Sequence, residues 1–440
     1  MNNQIYINRR NRVLSNMDDG VALIPSNTML IRSNDTEFPF RQESSFYYLS
    51  GFNEPDCLLL LLKKNKKSKT VLFLRERNLE MEMWVGKRLG VSEACKVLDI
   101  DEAYDIAALD KILPDLLPEY NTLYLDTFSQ NAYLQTAKDV CMRLLHTRSI
   151  DISPRNFKHL NTIIEKQRLI KEAHEIQQIN KALKITTQAH HAAMAMVKPG
   201  MIEYEIQAII EYIFKKNGSD HDAYSSIVAG GNNANTLHYV ENSQLLQEGD
   251  MMLIDAGCEW DYYASDITRT TPINGKFSKA QQALYEGILD VQEKIITSIK
   301  PGVSKQEIQE KSEILLAQVM LDLGILSGSI DKIIAEKAHK KYYPHGIGHW
   351  MGLDVHDTCP YKDENAKEIQ FEEGMVLTVE PAIYLPLDDL EIPEAYRGIG
   401  IRTEDDIVVT QKGYKNLSSD IAKTVEEIEK MCARDYREFL

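Results

Sequence analysis

The chain has 440 residues, of which 43% are hydrophobic and 26% charged, and its formal net charge is −16. This length exceeds one ordinary domain and indicates two or three. The acidic balance argues against nucleic acid and anionic membrane as partners. The longest apolar run, 57–62, is far too short to cross a bilayer. The N-terminal stretch lacks the features of a signal peptide, and six scattered cysteines form no CxxC pair, so we expect a cytoplasmic protein.

The first part of the chain alternates strand-like and helix-like segments. The lysine run at 63–69 lies between two strand-like segments. We predict a solvated hairpin loop there rather than an anion site, because no second basic cluster lies nearby. The segments predicted as strands are FYYLSGF (46–52), CLLLLL (57–62), TVLFLRER (70–77) and TLYLD (122–126).

The pattern changes near Gln167, where a long helical periodicity begins and continues to a Lys-Pro-Gly at 198–200. Proline and glycine are the residues expected just after a helix. We therefore predict a domain boundary near residue 166, with an N-terminal domain over 1–166 and a second domain over 167–440.

The second domain contains an internal repeat. Each copy has a helix that stops at a Lys-Pro-Gly, then a second helix, an apolar strand that ends on an acid, and a second acid-bearing strand. In the later copy, Ser304 and Glu307 form a capping box at the start of the second helix. The matching strands are GDMMLID (249–255) with GMVLTVE (374–380), and YYASDITRT (262–270) with IGIRTEDDIVVT (399–410).

Four carboxylates occupy matching positions in the two copies: Asp255 and Asp266 in the first, Glu380 and Glu404 in the second. A repeat of this kind places equivalent residues near a common axis. A buried carboxylate must be paired, protonated or bound to metal, and four together would repel one another. One acid at the end of an apolar strand is usually exposed, but two matched pairs favour a site for divalent metal.

The segment HGIGHWMGLDVHD, residues 345–357, holds three histidines. Its glycines weaken a helix, so an extended conformation is the prediction. In a strand His345 and His349 would share one face, while His356 would lie on the other. One imidazole can then join the carboxylates, and the other two are better placed to contact substrate or handle protons. A single histidine would more often be a satisfied core residue.

These residues resemble the aminopeptidase P family, proline-specific metallopeptidases of the pita-bread fold, and are similar to the bacterial enzyme. The resemblance implies an α/β (α+β) fold, with a smaller mixed α/β N-terminal domain before a pita-bread catalytic domain with a pseudo-twofold repeat. EFPFRQESSFYYLSGFNEPD (37–56) and MWVGKRLG (83–90) extend it into the N-terminal domain. The motifs that carry it in the second domain are LIDAGCEWDYYASDITRT, HGIGHWMGLDVHD, GMVLTVEPAIY and YRGIGIRTEDDIVVT.

The resemblance also implies the roles of individual residues. Asp266 and Glu404 would bridge two metal ions. Ala382 and Val240 depart from the family's usual glycine and threonine, and neither removes a ligand. The implied metal ligands are Asp255, Asp266, His349, Glu380 and Glu404. The implied substrate-contacting or supporting residues are His238, His345, His356, Arg402 and Tyr224.

The implied reaction is removal of the N-terminal residue from peptides with proline at the second position. Four carboxylates and one imidazole favour Mn²⁺ or a similar hard divalent ion. Two such ions can share a water and lower its pKa, so that a bridging hydroxide attacks the carbonyl and Glu380 handles the proton. Trp350 and Tyr384 are expected to wall a slot for the proline ring. Trp84 is expected near a neighbouring subunit of a homo-oligomer, a dimer or a tetramer.

Two alternatives share this fold. An Xaa-Pro dipeptidase would have the same metal ligands, so the catalytic motifs barely discriminate; the segments 83–90 and 396–406 favour the aminopeptidase. A binding protein that uses the same cleft without cutting would lack several ligands, whereas all five are present here. A nucleotide enzyme is not indicated, because no GxxxxGK[ST] or GxGxxG follows a strand.

Overall fold

The structure is a computed structural model that describes residues 3–147 and 153–440. The chain divides into two compact units, Met1–Gln167 and Arg168–Leu440. Within the described residues, no helix combines the length and apolar character needed to cross a membrane.

The first unit is a mixed α/β domain. Its helices are α1 (Gln4–Ser15), α2 (Ser44–Ser50), α3 (Leu79–Val85), α4 (Val91–Leu98), α5 (Leu109–Leu116) and α6 (Ala132–Leu145), and α7 (Asn161–Leu169) spans the boundary in sequence. Its strands are β1 (Gly20–Pro25), β2 (Ile31–Ser33), β3 (Thr36–Glu37), β4 (Leu58–Lys64), β5 (Lys67–Leu74), β6 (Glu102–Asp105), β7 (Thr122–Leu125) and β8 (Asn156–His159).

Six of these strands form one sheet in the order β6-β5-β4-β1-β7-β8. The middle pairs, β1 with β4 and β4 with β5, are antiparallel, whereas the outer pairs are parallel. The apolar parts of β1 and β4 are buried along their length rather than at alternate residues. Continuous burial of this kind means that both faces of the sheet are covered.

Two predictions for this unit change in the structure. The segment 46–52, predicted as a strand, lies mostly in helix α2. The Glu43 side chain accepts a 2.6 Å hydrogen bond from the Phe46 N–H and caps the helix start. Gly51 ends it in the left-handed conformation at φ 63°. The lysine run does make a hairpin, but its turn is only Asn65-Lys66, and the flanking lysines belong to β4 and β5.

The second unit contains the predicted repeat. Its helices are α8 (Ala173–Met196), α9 (Glu203–Lys216), α10 (Lys279–Ile296), α11 (Lys305–Asp322), α12 (Ile330–Ala335) and α13 (Val425–Cys432). Its strands are β9 (Ile227–Gly230), β10 (Met251–Asp255), β11 (Glu259–Trp260), β12 (Tyr263–Ala264), β13 (Thr268–Pro272), β14 (Val376–Val379), β15 (Ala382–Leu385), β16 (Ile399–Arg402), β17 (Asp405–Thr410) and β18 (Gly413–Asn416).

Each copy of the repeat pairs two helices with a three-stranded antiparallel sheet. The sheets have the orders β13-β10-β9 and β14-β17-β18. The capping box predicted at Ser304 and Glu307 is present at the start of α11. The copies meet where the Glu404 N–H donates to the Thr268 carbonyl at 3.0 Å and the Thr270 hydroxyl donates to the Arg402 carbonyl at 3.0 Å. The acid-bearing ends of both sheets therefore lie side by side.

Each second acid-bearing segment is broken rather than continuous. The segment 262–270 divides into β12 and β13, with Asp266 in the break, and 399–410 divides into β16 and β17, with Glu404 in the break. The Asp266 N–H bonds the Asp406 side chain at 3.1 Å instead of a neighbouring strand. These interruptions leave the two acids free to turn toward the junction of the copies.

Candidate metal centre

Four buried acids stand at strand ends in the second unit. Asp255 is the last residue of β10, and Glu380 directly follows β14. Glu404 directly precedes β17, and Asp266 lies two residues before β13. Asp255, Asp266 and Glu404 are buried and Glu380 is half-buried. The sequence prediction that these acids share one place matches their arrangement, because all four line a single cavity.

His349 brings an imidazole to this cluster. Its backbone is fixed against β14, since the Thr378 N–H donates to the His349 carbonyl at 2.9 Å and the His349 N–H donates to the Thr378 hydroxyl at 3.1 Å. Its Nδ1 lies 3.1 Å from the Trp350 carbonyl, which favours a proton on that nitrogen. Its Nε2 lies 3.3 Å from Oδ2 of Asp266 and 3.9 Å from Oε1 of Glu380. The nitrogen that faces the acids is thus the one with a free lone pair for a metal.

The raised pKa values of acids in the cluster favour the binding of a cation. Burial, followed by repulsion from Asp266 and Glu380, raises the pKa of Glu404 well above its usual value. Burial likewise raises the pKa of Glu380, against the effect of His349 and Arg402, and it raises the pKa of Asp255, against the effect of Arg402. Divalent ions would relieve this repulsion and allow the acids to ionise.

The spacing of the donor atoms also suits a metal ion. Asp266, His349 and Glu404 each offer one possible ligand atom, and these three atoms lie within 4.8 Å of one another. Carboxylate oxygens with a neutral imidazole nitrogen form a ligand set for divalent ions such as Mn²⁺ or Zn²⁺. The residues therefore fit the metal centre that the sequence predicts.

Arg402 and Tyr224 hold the carboxylates in place. The Tyr224 hydroxyl lies 2.6 Å from Oδ1 of Asp255 and 2.7 Å from Oδ1 of Asp266. The buried Arg402 guanidinium donates to Oδ2 of Asp255 at 2.6 Å through Nη2 and to the Thr268 hydroxyl at 3.0 Å through Nε. Both residues thus orient carboxylates of the cluster, and their supporting roles in a metal centre stay predictions.

The three remaining histidines lie around the cavity, which has a volume of about 400 Å³. His238 and His356 are exposed, whereas His345 is half-buried. The Nε2 of His345 lies 3.0 Å from the Tyr384 hydroxyl, which accepts a 2.6 Å hydrogen bond from Nη1 of Arg402. The apolar side of the cavity is formed by Ile227, Leu237, Val240 and Val355.

Two predictions about this region are wrong. His356 does not lie on the face opposite His349, because the chain bends at 352–356 and the two rings meet at 4.3 Å between centroids. Trp350 does not wall the cavity. It is 1% exposed, packs on Tyr361 and Phe371, and donates its indole N–H to the Pro360 carbonyl. Its large ring fills the interior beneath His349 rather than facing a substrate.

Sequence reasoning missed two supporting residues. Thr268 donates its hydroxyl to Oε2 of Glu404 at 2.7 Å. Asp406 is fully buried and accepts the Asp266 N–H. The sequence does carry a signal, because each residue lies two positions after an acid of the cluster and so points to the same side in extended chain.

The comparisons with known proteins agree with this geometry. The model of Metallopeptidase family M24 matches residues 177–411, and that of the Aminopeptidase P, N-terminal domain, matches residues 6–124. The Xaa-Pro aminopeptidase of Haemophilus influenzae is 40% identical over 428 residues, covering 96% of each chain. The chain belongs to metallopeptidase family M24, with an aminopeptidase P-type N-terminal domain and a pita-bread catalytic domain.

Two solved structures extend the likeness to the whole fold. Zn-substituted Escherichia coli aminopeptidase P in complex with product has a TM-score of 0.95 at 38% identity, covering 99% of each chain. Escherichia coli aminopeptidase P with the inhibitor Pro-Leu also has a TM-score of 0.95, at 37% identity over 100% of this chain and 99% of that one. The fold class predicted from the sequence is therefore confirmed.

Proposed function

We propose that this protein is an Xaa-Pro aminopeptidase, which hydrolyses the bond between the first residue of a peptide and a proline at the second position. The observation that carries this proposal is the cluster of four acids and His349 lining one cavity, in a chain that matches Xaa-Pro aminopeptidases over both units. The dipeptidase alternative is set aside, since the relatives matched over the full length carry the aminopeptidase name.

Five residues would hold two metal ions in this proposal. Asp266 and Glu404, which lie in the breaks of the second acid-bearing segments, would bridge them, as the resemblance to the family implies. When bound, the ions supply an activated water and polarise the scissile carbonyl. The ligands are Asp255, Asp266, His349, Glu380 and Glu404.

The side chains around the cavity would orient the peptide and move its protons. Glu380 accepts a proton from the attacking water and passes it to the prolyl nitrogen as the bond breaks. His356 and His238, at the exposed edge, donate hydrogen bonds to substrate oxygens. The prolyl nitrogen carries no N–H, so the enzyme needs no hydrogen-bond acceptor there. His345, beside Tyr384, contacts the proline ring of the substrate.

Mn²⁺ is the metal that we propose for the active enzyme. The support is the ligand set, four carboxylates to one imidazole, which is harder than a typical zinc site. Metal-stripped protein reloaded with Mn²⁺ or Zn²⁺, with metal per chain measured alongside turnover, tests this choice. Faster turnover with Zn²⁺ at equal occupancy would reject it.

Oligomerisation into a dimer or tetramer is a further part of the proposal. Helix α3 exposes a run of apolar side chains, with Met83 88% and Trp84 84% exposed. Surfaces of this kind commonly mark a protein contact. Light scattering of the wild type and of Trp84→Ala tests this; a monomeric wild type would contradict it.

A cytoplasmic location also remains a proposal. It is supported by the six cysteines, all of which are free, and four of which are buried. Fractionation of cells that express the protein tests it, and recovery outside the cytoplasm would contradict it.

A matched pair of peptides tests the proposed activity. The metal-loaded protein is offered Xaa-Pro-Yaa and Xaa-Ala-Yaa, and the release of Xaa is measured. We expect release from the first peptide alone. Comparable release from the alanine peptide would indicate an aminopeptidase of broad specificity instead.

A further inference from the structure

His356 stands on a segment without regular structure, and its own ring has few restraints. The ring is exposed at the rim of the cavity and touches the His349 ring. Across residues 3–147 and 153–440, no hydrogen bond to the His356 ring is formed. Its position must therefore come from the backbone that carries it.

Asp357, the next residue in the chain, forms ion pairs with two buried cations, Arg168 and Lys171. Its side chain is 1% exposed, and its Oδ1 lies 2.5 Å from Nη2 of Arg168, while its Oδ2 lies 3.0 Å from Nζ of Lys171. The Asp357 N–H also donates to the Trp350 carbonyl at 2.9 Å. Both the side chain and the backbone of Asp357 thus hold the bend that brings His356 back toward His349.

Arg168 and Lys171 make further contacts, one along the bend and one just before β14. Arg168 also pairs with Asp354, which precedes His356 by two residues, at 2.6 Å. The Lys171 N–H donates to the Gly374 carbonyl at 2.9 Å, in the turn that leads into β14 and so to Glu380. Lys171 therefore connects the His356 segment, through Asp357, to the turn before the strand that Glu380, a proposed ligand, directly follows.

The residues around these ion pairs are closely packed. A methyl group added to Gly352 would lie 2.5 Å from Oδ2 of Asp357 and 2.8 Å from Cε of Lys171. Such distances force a neighbour to move. The bend, the carboxylate and the ammonium group consequently form one close-packed unit.

Buried ions are costly, and an apolar replacement of similar size is often at least as stable. A cluster of this kind is thus better explained by the geometry that it imposes than by stability. We propose that Arg168 and Lys171 are positioning residues of the catalytic site, which act through Asp357 to hold His356 against His349. This inference rests on the proposed role of His356 in substrate binding and turnover.

The test uses Lys171→Met, which keeps the length of the side chain and removes its charge. Lys184→Met, at an exposed position of α8, is the matched control. Displacing a catalytic group by about 1 Å can lower turnover about 100-fold, so we expect a kcat reduced by roughly that factor. Metal content should stay close to wild type, which a general loss of structure would not allow. The control should keep wild-type kcat.

The decisive readout is the same substitution in a His356→Ala background. If Lys171 acts through His356, then Lys171→Met lowers kcat strongly in the wild type but hardly further when His356 is already absent. An equal reduction in both backgrounds, or an unchanged kcat in the single variant, would overturn the inference. A His356→Ala variant with wild-type turnover would instead reject the proposed role of His356 itself.

A second variant covers the case in which Lys171→Met does not fold. Gly352→Ala keeps every charge but pushes into the Asp357–Lys171 contact. We expect the same pattern from it: reduced kcat, retained metal and no further reduction when combined with His356→Ala. Wild-type kcat in folded Gly352→Ala, with His356 displaced in its crystal structure, would overturn the inference.

Discussion

The ring of His356 packs edge to face against the ring of His349, with 4.3 Å between their centroids. Of this pair, it is His349 whose nitrogen lies near the acids, with Nε2 at 3.3 Å from Oδ2 of Asp266. We therefore predict that His349→Ala loses metal, whereas His356→Ala keeps it and loses about 10²- to 10⁴-fold in turnover, the range typical of proton-transfer and hydrogen-bonding groups. Metal content and kcat of the two purified variants check this. Equal metal loss in both would show that the histidines do not divide these roles.

The two proposed bridging ligands give a second prediction. Asp266→Asn and Glu404→Gln should abolish activity while the protein stays folded, because a neutral amide bridges two cations poorly and the substitutions remove charge that is repelled in the buried cluster. Activity, metal per chain and circular dichroism are the measurements. Glu373→Gln, an exposed acid just before β14, is the control that should behave as wild type. Normal turnover with normal metal content in either ligand variant would rule out the bridging role.

Tyr384 joins Arg402 to His345 through one hydroxyl, which leads to a third prediction. Tyr384→Phe leaves Nη1 of the buried Arg402 without this partner, and the free energy of unfolding should fall by about 1–3 kcal/mol. Denaturant unfolding measures the change. Tyr396→Phe provides a control on a half-buried tyrosine, and a fall of the same size there would remove the significance of the Tyr384 result.

The buried pair between Arg269 and Asp405 gives a fourth prediction. Nη2 of Arg269 lies 2.7 Å from Oδ1 of Asp405, and both side chains are fully buried. Asp405→Asn leaves the guanidinium without its counter-charge and should cost about 3–5 kcal/mol of stability. The exposed pair of Lys294 with Asp290 provides the control, since Asp290→Asn should cost at most about 1 kcal/mol.

The same pair predicts a pH dependence. Burial opposes ionisation of Asp405, but Arg269 and Lys423 overcome it and lower its pKa to about 2. A carboxyl with a depressed pKa in the folded state stabilises the protein above the pKa of the unfolded chain, near 3.9. That contribution is lost as the pH falls from about 4 to about 2. The free energy of unfolding of Asp405→Asn, measured against pH, should therefore fall less over this range than that of the wild type; parallel curves would contradict the assignment.

The sequence predicted the repeat and the meeting of its four acids well, for a physical reason. An apolar strand that ends on a carboxylate is a local pattern, and its recurrence at Asp255 and Glu380 shows the two-fold arrangement without long-range information. The confirmed fold class was implied by the resemblance of these motifs to the aminopeptidase P family.

The errors arose where a few specific contacts, some near and some distant in sequence, decide the local path. The aromatic segment 46–52 has strand-like composition, but Glu43 and Gly51 cap it as a helix. The bend that brings His356 to His349 depends on Asp357 meeting Lys171, a contact that no local pattern shows. Trp350 is buried against Tyr361 and Phe371, and its indole N–H donates to the Pro360 carbonyl. An aromatic residue next to a predicted ligand is therefore not by itself a wall of the cavity.

The most direct test of the proposed activity is mass spectrometry of the products from one peptide, Xaa-Pro-Yaa-Zaa, with its amino terminus either free or acetylated. The wild-type protein is assayed with bound metal and again after removal of the metal by a chelator. We predict that only the metal-loaded protein acts, that it releases Xaa and Pro-Yaa-Zaa from the free peptide, and that the acetylated peptide stays intact. Cleavage of the acetylated peptide, release of the dipeptide Xaa-Pro, or equal cleavage without metal would contradict the assignment as a metal-dependent Xaa-Pro aminopeptidase.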